Sequence, residues 1–152
     1  MFKQENIEKG KKFEQFVINL IDLNYFKINN YNRDNSNSLH VKIETDSDPD
    51  ITIRHLDTNQ LISLECKFRQ NMYNNKIRWA FAYQIRHYNE FSVKNNRPTF
   101  IVIGLGGYPD KPDKLYCIPL EHARLTNLDP SAIEKYEKPR YSKFTWQHNT
   151  LI

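Results

Sequence analysis

Two carboxylates and one ammonium stand within a short stretch of the chain: Asp50 precedes ITIR, and Glu65 and Lys67 lie two apart in ISLECKF. Side chains alternate along a strand, so Ser63, Glu65, Lys67 and Arg69 share one face while Ile62, Leu64, Cys66 and Phe68 take the other. The same alternation sends Ile51 and Ile53 to the core and Asp50, Thr52 and Arg54 to the polar side. If HLDTNQ is the hairpin turn between these two runs, Asp50, Glu65 and Lys67 meet on one surface. One face is then core and the other chemistry. Carboxylates this close repel, and the remedies are a shared proton or a divalent cation; oxygen ligands favour Mg2+, with Mn2+ as a substitute. The cation is the preferred remedy here. Lys67 could then hold or deprotonate a water in line with a phosphodiester, while the metal neutralises charge on the phosphate and leaving oxygen.

Such a group needs a scaffold. Residues Asn6 to Leu23 read as a helix, because Phe13, Phe16, Val17, Leu20 and Ile21 fall on one stripe. The Asn- and Ser-rich run INNYNRDNSNS reads as a loop. Leu39 to Ile43, Asp50 to His55 and Asn59 to Phe68 alternate as strands. A helical pattern returns from Arg78 to Phe91, and PTFIVIG (Pro98 to Gly104) reads as a strand buried on both faces. After the loop GLGGYPDKPD come a strand at Lys114 to Ile118 and a short helix near Glu121. The expected fold class is α/β, a mixed β-sheet flanked by helices in the order α-β-β-β-α-β plus a C-terminal strand and short helix, as one domain over residues 1–152.

Composition agrees with a soluble globular chain, with 39% hydrophobic and 13% aromatic residues and no apolar run long enough to span a membrane. The N-terminus carries no secretory pattern, so a cytoplasmic location is expected. Cys66 and Cys117 read as small buried hydrophobes, since two thiols make neither a zinc nor an iron–sulfur site. The formal charge of +4 only mildly favours an anionic partner. Its distribution says more. Glu44, Asp46, Asp48, Asp50, Asp57 and Glu65 face a single Arg54, whereas the stretch from Lys67 to Arg97 is basic apart from Glu90. A site for both a cation and a phosphate chain would need that pairing.

Pro49-Asp50, a gap over residues 51–64 and then Glu65-Cys66-Lys67 resemble the PD-(D/E)xK nuclease signature, in a flavour similar to Holliday-junction resolvases and RecB-like members. The resemblance covers roughly residues 8 to 104. A preceding helix with Gly10 and Glu14 and a following helix with Gln84 and Tyr88 strengthen it. It implies a restriction-endonuclease-like fold and magnesium-dependent cleavage of DNA, with Asp50 and Glu65 as catalytic metal ligands and Lys67 activating water. Cys66, the middle residue of the motif, is placed with the metal set. Family members often carry an acid on the first helix, and Glu14, at the edge of its apolar stripe, is the candidate; a solvated charge is the plainer reading. Gln84 and Tyr88 form a QxxxY pair similar to the RecB-like motif bordering the catalytic centre and bound strand, although a tyrosine there is also ordinary core. Arg69, Arg78 and Arg86 join Tyr88 as expected nucleic-acid contacts.

Trp79 and Tyr83 could stack bases, or pack against the C-terminal segment, which is preferred for the pair. Asp46, Asp48 and Asp50 lack the glycine of a calcium loop, and GLGG lacks dinucleotide-binding spacing and reads as a turn. The five histidines show no ligand spacing; His87 alone could touch phosphate. The expectation is therefore a structure-selective or resolvase-like DNA endonuclease without a small-molecule cofactor, for which cutting two strands would favour a homodimer. A non-catalytic nucleic-acid-binding module is the alternative, with a damaged triad as its expected mark. RNA is a third possibility as substrate.

Overall fold

The computed structural model describes residues 2–31 and 48–152. Its elements are α1 (Phe2–Asn19), β1 (Phe26–Tyr31), β2 (Ile51–His55), β3 (Leu61–Arg69), β4 (Ile77–Arg78), α2 (Ala82–Asn95), β5 (Thr99–Tyr108), β6 (Lys111–Pro119), β7 (Asn127–Leu128), α3 (Pro130–Ile133), β8 (Glu137–Lys138), β9 (Trp146–Gln147) and β10 (Thr150–Leu151), with short 3-10 turns at Leu120–His122 and Glu134–Tyr136. The main sheet has six strands in the order β1-β2-β3-β5-β6-β8. β3 and β5 run parallel, as the intervening α2 permits, and the other neighbours in this sheet are antiparallel. This is the expected α/β mixed sheet.

The sheet is the middle layer of the molecule. On one face, α1 lays Phe13, Phe16 and Val17, with Leu20 just beyond its end, over Ile51, Ile53, Ile62, Leu64, Cys66 and Val102. Docking is close because Gly104 has no side chain: a Cβ there would come within 2.5 Å of the Phe13 ring. On the other face Ile77, Trp79, Ile85 and Tyr88 pack with Ile101, Ile103, Tyr116 and Ile118. The polar face of β3 is therefore covered as well. Ser63 and Glu65 are buried between the strand and the second layer.

Several boundaries differ from the sequence reading. Phe26–Tyr31 is a strand paired with β2, although its second half belongs to the run read as a loop. The strand expected at residues 39–43 lies outside the described residues. The second helix starts at Ala82, and Trp79 stands before it, buried, with its indole N–H donating to the Leu125 carbonyl at 2.8 Å. GLGGYPDKPD is not a loop. Gly106 and Gly107, at φ of 74° and 71°, continue β5 in the left-handed region, and Gly107 pairs with Pro112 in a hairpin to β6.

Candidate active site

The register of β2 on β3 places Ile51 opposite Leu64, which brings Asp50 beside Glu65. Asp50 lies one residue before its strand begins, so its carboxylate is free to turn along the edge of β3. Its Oδ2 accepts a hydrogen bond from the Cys66 backbone N–H at 2.9 Å. The N–H and C=O of one strand residue point toward the same neighbour. The Cys66 carbonyl is therefore directed to the Asp50 side as well, beyond the start of β2.

Lys67 Nζ lies 3.3 Å from Glu65 Oε2, with the Lys67 side chain 16% exposed and that of Glu65 only 6%. The ammonium thus reaches toward solvent from a carboxylate that is nearly sealed. Glu65 Oε1 and Tyr88 Oη are buried too, with the phenol near the carboxylate but without a hydrogen bond of good geometry. Burial raises the Glu65 carboxyl above its ordinary range, opposed chiefly by Lys67. Burial pushes Asp50 well up, and the charges of Glu65 and Glu14 push it further, against the Cys66 N–H bond and Lys67. Glu14 is half-buried on α1, and its charge is felt by both Asp50 and Cys66.

Asp50, Glu65, Glu14 and Lys67 are thus brought together from β3, the entry to β2, and α1. Three carboxylates facing one lysine leave a net negative charge in a desolvated corner. That surplus, together with the buried oxygen of Glu65, suits a divalent cation, and the donors are the hard oxygens that magnesium or manganese takes. Among the described residues no three ligand-type side chains are grouped tightly enough to hold an ion.

Other expected site residues fall differently. The Cys66 side chain belongs to the α1 core, and burial and the nearby carboxylates raise its thiol well above its usual range. A protonated, inward-facing thiol is no ligand, so any contribution from Cys66 must come from its backbone. Gln84 sits in the first turn of α2, where its Oε1 accepts from the Phe81 N–H at 2.8 Å. Its oxygen caps a helix rather than reaching the carboxylates. Tyr88, expected at the bound strand, has no exposed surface and stacks on Trp79 with ring centroids 6.0 Å apart; it borders Glu65 from inside and cannot touch nucleic acid.

Arg69 donates to the carbonyls of Phe68, Arg78 and Trp79 at 2.9, 2.6 and 2.7 Å, fastening the end of β3 to β4. Burial lowers its basicity. Arg78 and Arg86 are exposed, and Arg78 lies over the Tyr73 ring at 4.0 Å. His87 is half-buried, with the Tyr83 ring edge-on to it.

Beside Lys67 opens a cleft of about 560 Å³ between α1 and the end of β3. Asn6, Lys9, Lys67, Arg69 and Gln70 contribute to its wall, with no carboxylate among the lining residues. Gly10 also lines it and faces open space, since a Cβ there would meet nothing within 4 Å. Lys9 was not singled out from the sequence. It stands four residues before Phe13, hence on the same side of α1 as the residue docked onto Gly104, and that spacing could have marked it.

No family model and no curated protein matches the sequence. Eight solved chains do match in structure. One is the 1.6 Å structure of Archaeoglobus fulgidus Hjc, a Holliday junction resolvase from an archaeal hyperthermophile, with 15% identity, 72% of this chain and 78% of that chain covered, and a TM-score of 0.47.

Proposed function

We propose that the chain is a PD-(D/E)xK-type nuclease that uses a divalent cation, magnesium or manganese, to hydrolyse phosphodiester bonds in DNA, acting as a structure-selective or resolvase-like endonuclease. The observation that carries this reading is the convergence of Asp50, Glu65 and Glu14 beside Lys67, next to a cleft lined by cations. Asp50, Glu65, Glu14 and the Cys66 carbonyl would hold the ion, which when bound supplies charge neutralisation and a more acidic water. Each of the chain's own groups then has a task. The Cys66 N–H fixes the Asp50 carboxylate, Tyr88 and the second core layer keep water from the inner side of Glu65, and Lys9 and Lys67 attract the phosphate chain into the cleft. Lys67 Nζ, anchored on Glu65 Oε2, orients an attacking water or donates to the charge developing on phosphate. Homodimerisation, which would supply a second site for a second strand, and a cytoplasmic location belong to the same proposal. No helix among the described residues is long and apolar enough to cross a membrane.

The test is cleavage of labelled four-way junction, duplex, single-stranded DNA and RNA with magnesium, manganese or chelator. Lys67→Ala should lower metal-dependent cutting by about 10²–10⁴-fold, the range of a lost acid–base group, with the fold retained by circular dichroism. Cutting by Lys67→Ala at the normal rate would remove lysine from the mechanism. Binding without cutting under every metal would favour a non-catalytic nucleic-acid-binding module.

A further inference from the structure

The start of α2 breaks a local rule. A helix N-cap favours Ser, Thr, Asp or Asn, whose side chains accept from the first free N–H groups. Here the position is Phe81, which cannot cap, and Gln84 serves the terminus instead by accepting from the Phe81 N–H. The Phe81 ring is 64% exposed, and Tyr83, 50% exposed, lies parallel to it with centroids 6.0 Å apart and an interplanar angle of 9°. Packing explains neither ring, since Trp79 and Tyr88 already fill the adjoining core. A local rule broken without a stabilising return is expected at functional positions.

The surroundings indicate what the pair meets. Arg78 precedes it and Arg86 follows Tyr83 by three residues on the same helix face, both exposed. Flat apolar rings flanked by cations complement a polyanion that carries flat rings of its own. The pair is also tied to the strand that carries Glu65 and Lys67: Arg69, at the end of β3, grips the carbonyls of Arg78 and Trp79 just before Phe81.

We infer that Phe81 and Tyr83 form a stacking platform for unpaired bases, so that the substrate is a nucleic acid with unpaired nucleotides next to the bond to be cut. Bases inside a duplex have both faces covered by their neighbours and cannot use such a platform; those of a single strand, flap or open branch can. The inference rests on the nuclease reading for its position next to a cut, but the binding it describes needs no cleavage.

The experiment is fluorescence anisotropy in chelator with labelled oligothymidylate and a duplex of equal length. Phe81→Ala/Tyr83→Ala should weaken binding of the single strand by about 10- to 100-fold, the loss expected for one or two stacked bases. Duplex binding should change less than about twofold, because the arginines and the cleft remain. Phe81→Trp/Tyr83→Trp should keep single-strand affinity, separating stacking from damage to the helix start. Unchanged single-strand binding, or equal loss on both ligands, would overturn the platform; the former would turn the rings toward a protein partner. Failure of the nuclease reading has a separate signature, the absence of cutting while the single-strand loss persists.

Discussion

The two faces of β3 are built on opposite principles. Toward α1 it presents Ile62, Leu64, Cys66 and Phe68 to an apolar layer, the usual way for a strand to contribute to stability. Toward α2 the buried Ser63 and Glu65 lie where Ile101 and Ile103 of the neighbouring strand show that aliphatic packing was available. Ser63 Oγ, Glu65 Oε1 and Tyr88 Oη are buried on that side without a well-formed hydrogen bond. An unsatisfied buried polar group costs about 1–3 kcal/mol. One face therefore holds the strand in place, and the other uses that rigidity to keep a carboxylate in a position it would not otherwise occupy.

Adjacent substitutions should separate the two roles. Leu64→Ala should lower stability by about 2–5 kcal/mol through lost burial and an unfilled cavity, with remaining activity in proportion to the folded fraction. Glu65→Gln should leave the melting temperature unchanged or raise it, because it removes a desolvated charge, while metal-dependent cutting falls by orders of magnitude. Denaturant titration with parallel cleavage assays would show this. A large destabilisation by Glu65→Gln would mean that the ion pair with Lys67 holds the fold and that the two faces are less distinct than they look.

A smaller effect should appear in the pH dependence. The native carboxyls of Asp50 and Glu65 are raised above their ordinary values, by burial first and then, for Asp50, by Glu65 and Glu14. The folded state thus binds more protons than the unfolded state above about pH 4, where an unfolded carboxyl titrates. Stability contributed by this cluster is present at acid pH and is lost as pH rises from that value through the raised native ones. Without metal, Asp50→Asn should flatten this decline and raise the melting temperature near neutral pH, by about 2–4 °C for each kcal/mol of relieved repulsion. With magnesium or manganese the order should reverse, since the parent gains by binding the ion and the variant gains little. Differential scanning fluorimetry across pH, with metal or chelator, reads both; an equal metal-induced shift in parent and variant would remove Asp50 from the ligand set.

The same contrast governs what the sequence makes legible. The α1 face of β3 was readable because alternation in ISLECKF and the stripe through Phe13, Val17 and Leu20 are properties of single elements. The pairing of Asp50 with Glu65 was readable because HLDTNQ is short enough to fix the register. The burial of the other face is not legible, since only the path of α2 decides whether a polar strand face meets water or a second layer. The strand Phe26–Tyr31 is hidden because Asn29 and Asn30 look like a loop: Asn30 gains a partner only in Thr52 of β2, and Asn29 stands at a register shift in the pairing. Tyr88 is core, as its place in the helical pattern allows, whereas the late start of α2 puts Gln84 in the first turn and makes it a cap. Strands of two residues, such as β4 and β7, carry no periodicity to find.

The smallest expected effect probes the boundary between the faces. Tyr88 closes the inner side of Glu65 and stacks on Trp79, so its ring belongs to the core and its hydroxyl to the site. Tyr88→Phe keeps the ring and removes a buried oxygen that makes no well-formed hydrogen bond. Stability should change by less than about 1 kcal/mol, because little hydrogen-bond energy is lost and a desolvation cost disappears. If the phenol instead bonds to Glu65 once a cation draws that carboxylate into position, the variant should bind metal more weakly while its metal-free melting curve stays the same. Calorimetric metal titration of Tyr88→Phe distinguishes these cases. Unchanged metal affinity would make the tyrosine a wall and nothing more; a selective loss would extend the site one layer inward, to a residue that no substrate touches.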